Sequence, residues 1–290
     1  MQDIKVTYPY KTHHIELPGN CNITYIDEGK GERTLLFIHG LANYALVWKK
    51  NIDYLKQYYR CIALDLPGNG LSDQNTHPFT MPFFADTVHH FIEKLGLDKL
   101  CIVGHSMGGQ VAITTLLRHS SCAEALVLCA PAGIEHFTAM EKAMYYSTMH
   151  IFDFMQSEEN VLVQSINSSF FSSPGQANTI IKDLTGILRG FKPNHYKKMT
   201  EACIKSMLED AVTDKLATIK TPVLLLFGTK DALIPNKILH HTTTEAIAKD
   251  AVKKLPNARL TMIPDCGHFV QWEKSEEVNR EIIMFLEEKQ

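Results

Sequence analysis

Five short runs of almost unbroken apolar residues constrain the fold of this chain more than any other feature. Such runs are typical of strands that are covered on both faces, as in a parallel sheet with helices on either side. Between two of them, Met81–Leu95 repeats apolar positions with a period of about 3.6 residues, which predicts a helix. The alternation predicts a doubly wound, mostly parallel α/β sheet. The five runs are residues 34–38, 61–64, 100–103, 125–128 and 223–227.

Two parts of the chain depart from this alternation. Residues 15–17 and 23–26 alternate apolar and polar side chains, which predicts half-exposed antiparallel strands. Residues 133–219 contain no convincing strand pattern and hold amphipathic stretches near 180–188 and 196–208. We therefore expect a helical insertion there. Its methionine and aromatic side chains either pack within the protein or line an apolar pocket, and the sequence leaves both readings open.

The charge and hydropathy of the chain exclude several classes of partner. The formal net charge is −3 and the isoelectric point is about 6.5, so neither nucleic acid nor an anionic membrane surface is an expected partner. No stretch reaches the roughly 20 apolar residues that a membrane span needs. The N-terminus lacks the apolar run of a signal peptide, and we expect a cytoplasmic protein.

Cysteine and histidine spacings give no reason to expect a metal ion. The seven cysteines are scattered and odd in number, which favours buried, reduced thiols over a disulfide framework. Three histidine pairs occur, at 13–14, 89–90 and 240–241. Neighbouring side chains diverge on a helix or a strand, so these pairs are poor metal ligands.

A glycine-rich turn, Gly104-His105-Ser106-Met107-Gly108, follows the run at residues 100–103. A Gly-x-Ser-x-Gly turn between a strand and a helix is typical of the nucleophile elbow, which presents a serine hydroxyl above the sheet. A Cβ at Gly104 or Gly108 would collide with the neighbouring helix and strand. The pattern alone also fits a plain glycine-rich loop. Because a strand and a helix flank it here, we predict that Ser106 is a nucleophile.

A serine hydroxyl needs a base, and the base needs a third group that orients it. In this type of sheet the expected chain order is serine, acid, histidine. Asp231 follows the run at 223–227, and His268 follows a strand predicted at 259–263. Loops after neighbouring parallel strands meet at one edge of the sheet. We therefore predict that His268 is the base and that Asp231 orients it.

Other acids near this edge fit the role less well. Asp265 lies too close to His268 along the chain to orient it and is predicted to form a turn. Cys266 is expected to be a small buried residue. Residues 129–133, where some hydrolases carry the acid, contain none.

An acyl-transfer site also needs N–H donors fixed in place for the oxyanion. One predicted donor is the backbone of Met107, directly after the nucleophile. The other is the backbone of Leu41, in the loop at residues 39–43. His39 is expected to brace this loop through hydrogen bonds, and the side chain of His105 is expected to point away from the serine hydroxyl.

In these motifs and their order, the chain resembles the α/β-hydrolase superfamily. The resemblance implies an α/β-hydrolase fold: an eight-stranded, mostly parallel sheet with helices on both faces, formed by residues 1–132 and 220–290. It also implies that residues 133–219 are a helical cap, or lid. No metal or organic cofactor is implied. The motifs that carry the resemblance are residues 39–41, 65–73, 104–108, 228–231 and 266–268.

Single residues separate this chain from some branches of the superfamily. Ser106 excludes haloalkane dehalogenases and soluble epoxide hydrolases, whose elbow carries an aspartate. Residues 266–273 are similar to bacterial meta-cleavage-product hydrolases, which cut C–C bonds. Those enzymes usually carry asparagine in the place of His105 and tryptophan in the place of Phe269, and they use a cap arginine. Arg189 is the candidate counterpart and hence a candidate substrate-binding residue; a solvated surface arginine is the alternative.

The expected function is hydrolysis of a small or medium carboxylic ester through a serine acyl-enzyme. The expected partner is therefore a small ester-like molecule, while the oligomeric state is not given by the sequence. Three alternatives stay open. Two use the same residues, for C–C hydrolysis of meta-cleavage products or for acyl transfer to an acceptor other than water. The third is a receptor-like protein that binds a ligand without turnover.

Overall fold

The computed structural model describes residues 7–155, 158–171, 174–192 and 194–288. Eight strands form a single sheet with the order β1-β2-β4-β3-β5-β6-β7-β8. The mostly parallel eight-stranded sheet is thus confirmed. The strands are β1 (Thr12–Leu17), β2 (Cys21–Glu28), β3 (Thr34–Ile38), β4 (Arg60–Leu64), β5 (Leu100–His105), β6 (Ala125–Cys129), β7 (Val223–Gly228) and β8 (Ala258–Ile263).

The strand directions follow the hydrophobic patterns. β1 pairs with β2 and β2 with β4 in antiparallel fashion, whereas all other neighbours are parallel. The alternating segments form β1 and β2, joined by a tight turn in which Gly19 and Asn20 have positive φ angles. The five apolar runs form β3 to β7, whose residues are buried except at the start of β4. Both predictions are confirmed.

Ten α-helices lie in the described ranges, and α2 has the predicted bounds. Its first turn is capped by the hydroxyl of Thr80, which accepts a hydrogen bond from the Phe83 N–H at 3.3 Å. It ends at Gly96, whose left-handed conformation is the common helix stop. The helices are α1 (Lys49–Leu55), α2 (Met81–Leu95), α3 (Met107–Arg118), α4 (Ala139–Met155), α5 (Glu158–Ser169), α6 (Pro174–Arg189), α7 (His195–Glu209), α8 (Thr244–Lys254), α9 (Val270–Glu273) and α10 (Ser275–Glu287).

Two hydrophobic cores lie on opposite faces of the sheet. Along β3, Leu36 and Ile38 belong to one core, while Leu35 and Phe37 belong to the other. Helices α2, α3 and α8 contribute to the first core, and α1 and α10 contribute to the second. The predicted arrangement of helices on both faces is confirmed.

Between β6 and β7 the described residues form α4 to α7 and one 3₁₀ helix (Thr213–Thr218), with no strand. The two predicted amphipathic stretches lie in α6 and α7. Tyr145 lines a cavity described below, whereas Met140 and Met144 are exposed, so the methionine and aromatic residues of this segment do not share one role. Side chains from residue 148 to 155 lie outside the described part, and with them the predictions for Met149, Phe152, Phe154 and Met155.

All seven cysteines are free thiols, and six of them are buried. The expectation of buried, reduced thiols is confirmed except at Cys122, which is half-buried; the cytoplasmic location stays a prediction. Within the described ranges, each helix is too short or too polar to cross a bilayer.

Candidate active site

Ser106 occupies the turn between β5 and α3, with φ of 51° and ψ of −119°. A positive φ is rare for a residue with a side chain and marks a strained position held by its surroundings. A Cβ on Gly104 would lie 2.5 Å from the carbonyl oxygen of Gly108, and one on Gly108 would lie 2.3 Å from that of Ile38. The predicted reason for both glycines is confirmed, since only their small size lets strand, turn and helix approach this closely.

The loop after β3 lies directly against the serine. A Cβ on Gly40 would be 3.2 Å from the Cβ of Ser106. The following residue, Leu41, lines the same cavity as Ser106. On the other side of the serine, Met107 is the first residue of α3, and the N–H groups of a helix's first turn have no partner within the helix. The two predicted oxyanion donors therefore belong to segments that flank Ser106.

Asp231 and His268 lie at the same edge of the sheet, after the neighbouring strands β7 and β8. Oδ2 of Asp231 is 2.8 Å from Nδ1 of His268, and both side chains are buried. Oδ1 of Asp231 accepts hydrogen bonds from the N–H groups of Leu233 at 2.8 Å and Ile234 at 3.0 Å. Both oxygens are thus fixed. His268 and Ser106 line one cavity, so the structure brings all three predicted residues to one place.

Asp265 and Cys266, which precede His268, have the turn conformation and the burial that were predicted for them. Asp265 is exposed in a turn with φ of 47°, and its N–H donates to the Thr229 hydroxyl at 3.1 Å. Cys266 is buried, and burial raises the pKa of its thiol well above the usual value. Both predictions are confirmed.

His39 braces the loop after β3, as expected. Its Nε2 accepts the N–H of Leu66 at 3.0 Å, so its Nδ1 carries the proton and donates to the carbonyl oxygen of Gly40 at 2.7 Å. Burial lowers the pKa of His39 to about 4, which keeps the ring neutral. Both ring nitrogens are occupied by the backbone.

The side chain of His105 contacts the loop that carries His268. Its Nε2 lies 3.1 Å from the backbone oxygen of His268, and the two ring centroids are 4.9 Å apart. Among the described residues its Nδ1 has no hydrogen-bond partner. Burial, and the nearby ring of His268, lower the pKa of His105 well below its usual range. The ring is therefore a neutral donor that holds the backbone of His268.

A cavity of about 490 Å³ lies above Ser106, within the size range of small-molecule sites. Its wall consists of residues at or after the ends of β3, β5, β6, β7 and β8, together with residues of α4, α5 and α7. Most of this wall is apolar. The apolar residues from the three helices are Tyr145, Leu162, Ile166, Tyr196, Ile204, Met207 and Leu208.

Sequence reasoning missed the polar wall residues, and two of them follow strands of the sheet. Asn43 is buried in the loop after β3, and its Oδ1 has no partner among the described residues. Glu135, in the segment after β6, is a carboxylate in the wall. Their positions at the ends of strands were a usable signal, because functional side chains concentrate there.

Arg189 does not reach this cavity in the described structure. Its guanidinium pairs with Oε1 of Glu159 at 2.8 Å, and 54% of its side chain is exposed. It ends α6 and is absent from the cavity wall. The expectation of a substrate-binding arginine is therefore corrected: Arg189 lies at the surface, in a solvated ion pair.

One group of side chains in the described part has metal-ligand chemistry. The ligand atoms of Cys21, Asp73 and His77 lie within 4.8 Å of one another. His77 already bonds Oδ1 of Asp73 at 2.8 Å, and burial raises the pKa of the Cys21 thiol to about 12. The carboxylate of Asp73 thus already has a partner within the protein, and the raised pKa keeps Cys21 from forming the thiolate that a metal needs. None of the three lines the cavity above Ser106.

The comparisons with known proteins agree with this geometry. The family model described as "alpha/beta hydrolase fold" matches residues 33–275. The chain belongs to this family. It is a hydrolase of the α/β fold.

Two curated relatives and one solved structure show how far the similarity extends. An uncharacterised hydrolase of Bacillus subtilis is 24% identical and covers 89% of this chain and 92% of its own length. A 2-hydroxy-6-oxononadienedioate/2-hydroxy-6-oxononatrienedioate hydrolase of Comamonas testosteroni is 27% identical, with 92% of both chains covered. A probable hydrolytic enzyme of Pseudomonas aeruginosa is 25% identical, with a TM-score of 0.84 over 97% of this chain and 95% of its own.

Proposed function

We propose that the protein is a serine esterase that cleaves small or medium carboxylic esters. The observation that carries this proposal is the buried pair of Asp231 and His268, 2.8 Å apart, at the cavity that Ser106 lines. A buried carboxylate that binds Nδ1 fixes the tautomer of the imidazole, so that Nε2 is the nitrogen left to act as a base.

The reaction follows from these positions. His268 removes the proton from Ser106, whose oxygen attacks the ester carbonyl. The backbone N–H groups of Leu41 and Met107 stabilise the oxyanion of the tetrahedral intermediate. Asp231 stabilises the imidazolium, which then protonates the departing alcohol and leaves an acyl-enzyme. His268 next takes a proton from water, which attacks the acyl carbon and releases the acid and free Ser106.

The charges of the cavity favour a neutral ester over a carboxylate-bearing diketone. Among the described wall residues, Lys237 is the one lysine or arginine, and it is exposed to solvent. Glu135 carries the opposite charge and is buried. The name of the Comamonas testosteroni relative describes a dioate substrate. A carboxylate of that kind would enter this cavity without a buried cation to pair with it.

C–C hydrolysis is the second candidate, because that relative is 27% identical over 92% of this chain. A ligand-binding protein without turnover has less support, since it would have no use for the buried pair of Asp231 and His268. Acyl transfer uses the same acyl-enzyme and differs only in the acceptor.

A panel of p-nitrophenyl esters and a ring-fission dienol diketone would separate these functions. We expect the esters to be hydrolysed by the wild type, with loss of turnover in Ser106→Ala, and a fluorophosphonate probe to label Ser106. Turnover of the diketone without turnover of any ester would refute the esterase proposal. Absence of both turnover and labelling would favour the binding protein.

We further infer that residues 133–219 form a lid over a core of residues 1–132 and 220–290. The supporting observation is that α4, α5 and α7 each contribute residues to the wall of the cavity that Ser106 lines. Such a lid would exclude water from the acyl-enzyme and define the shape of the substrate.

A further inference from the structure

Glu135 places a carboxylate in the wall of a largely apolar cavity. The residue is 8% exposed. Its Oε1 accepts the N–H of Asn236 at 2.9 Å and also bonds Nδ1 of His240. Oε2 has no hydrogen-bond partner among the described residues, and this oxygen is not completely buried. One oxygen of Glu135 is therefore open to a molecule in the cavity.

The contacts that Glu135 makes with the protein, including its pairing with His240, use only one of its two carboxylate oxygens, Oε1. The amide oxygen of a glutamine would accept the same two hydrogen bonds. Burial raises the pKa of Glu135, because desolvation penalises the carboxylate, while the hydrogen bonds from His240 and from the N–H of Asn236 act in the opposite direction. The charge of Glu135 is not needed to orient His268, since Asp231 fills that position. A buried charge with an open oxygen at a cavity indicates a ligand.

The neighbours of Glu135 define the chemistry of that ligand. The rings of Phe137 and Tyr145 line the same part of the cavity, with centroids 6.5 Å apart, and Phe137 lies 4.8 Å from the ring of His240. A carboxylate beside aromatic rings is suited to an ammonium or a hydroxyl group. A second carboxylate would meet like charge in a poorly solvated place. Lys237 would compensate little, because it lies in solvent.

We propose that Glu135 is a specificity-determining residue, which accepts a hydrogen bond from an ammonium or hydroxyl group on the substrate. The proposal rests on the ester hydrolysis proposed above. It names the substrate class as esters that carry such a donor at a distance from the scissile bond, and it disfavours esters that carry a carboxylate there.

Two series of esters test this proposal. In one, p-nitrophenyl esters of equal length end in a methyl, hydroxyl, ammonium or carboxylate group; in the other, the same groups end the alcohol part of acetate esters. In at least one series we expect the wild type to prefer ammonium to carboxylate, measured by kcat/KM. Glu135→Gln should reduce that preference by about tenfold or more, the usual effect of a lost hydrogen bond to a charged group. The methyl-terminated esters serve as the reference, and each kcat/KM is expressed relative to them within the same variant.

Glu141→Gln is the matched control. Glu141 lies 3.4 Å from Nε2 of the same His240 but is absent from the cavity wall, so this change perturbs the histidine without altering the site. We expect it to keep the preference of the wild type. Loss of preference in both variants, or in neither, would overturn the role of Glu135.

A binding experiment keeps the two proposals separate. Titration calorimetry with phenylbutylammonium, phenylbutanol and phenylbutyrate, none of which is an ester, measures the preference without turnover. We expect tighter binding of the ammonium compound to the wild type and a smaller difference in Glu135→Gln. Equal binding of all three would overturn the inference even in an active esterase. Selective binding without ester turnover would overturn the proposed reaction alone.

Discussion

Asp231→Asn removes a charge from the proposed site while preserving the size of the side chain. Oδ1 of Asp231 accepts the N–H groups of Leu233 at 2.8 Å and Ile234 at 3.0 Å. In the variant, the oxygen of the asparagine amide must stay at this position, because an NH₂ group there would face two donors and leave both unsatisfied. The NH₂ group must therefore face Nδ1 of His268.

That contact reverses the tautomer of His268. Nδ1 becomes an acceptor and the proton moves to Nε2, which then cannot take a proton from Ser106. A reversed tautomer of this kind lowers kcat by about 10⁴-fold. The corresponding increase in the activation free energy is about 5 kcal/mol. We expect a loss of this size for Asp231→Asn with p-nitrophenyl butyrate, while KM changes much less.

Asp265→Asn is the control for this experiment. Asp265 is a second aspartate close to His268 along the chain, is exposed, and has a positive φ angle that asparagine tolerates. We expect its kcat to remain within a factor of about two of the wild type, since no protein contact to the base is lost. Thermal unfolding and circular dichroism would establish that both variants are folded. A kcat for Asp231→Asn above a tenth of the wild-type value would refute this reasoning.

Three further predictions concern folding and thiol chemistry. His39 has a pKa of about 4 in the folded protein and about 6.5 when unfolded, so below pH 6.5 the unfolded chain binds the extra proton. Urea unfolding should therefore show the stability difference between wild type and His39→Gln falling by about 2 kcal/mol from pH 7 to pH 5; a constant difference would contradict the buried neutral ring. In the same assay, Gly108→Ala should lower the free energy of unfolding by about 3 kcal/mol or more, because the new Cβ would lie 2.3 Å from the backbone oxygen of Ile38. Gly190→Ala is the control and should lower it far less, since a Cβ there would lie 3.3 Å from its nearest neighbour. Cys122 is the half-buried thiol, and burial raises its pKa to about 11. In the native state it should react first with an aromatic disulfide reagent, whereas all seven thiols should react in denaturant. Cys122→Ala should remove the early phase of this reaction.

Local patterns predicted the elements of the core well. The apolar runs predicted β3 to β7 because strands buried on both faces can hold only apolar side chains. The helix predicted at about Met81–Leu95 is observed as α2 because its apolar positions repeat with the helical period, and the structure shows that Thr80 caps it and Gly96 ends it. The elbow was recognisable because its two glycines flank the serine within five residues, although the contact that requires Gly108 is with Ile38 of the distant strand β3.

Other features depend on contacts between distant segments, and no local pattern records them. In the sheet β3 lies between β4 and β5, and no pattern in the amino-acid sequence predicts this order. Arg189 could be assigned to a pocket or to the surface from the sequence, and its pairing with Glu159 decided for the surface. The position of Glu135 in the cavity wall could not be recognised from a sequence motif, because its partners Asn236 and His240 are about a hundred residues away along the chain.

The sequence by itself determined which segments become strands and helices, and which three side chains are candidates for acid, base and nucleophile. Those properties follow from hydrophobic period and backbone sterics, which act over a few residues. Only the tertiary structure decided that Asp231 and His268 meet at 2.8 Å and that a carboxylate lies in the wall of the cavity above Ser106. Distances across a sheet depend on strand order and on how loops pack after it has formed, and neighbours in sequence carry little of that information.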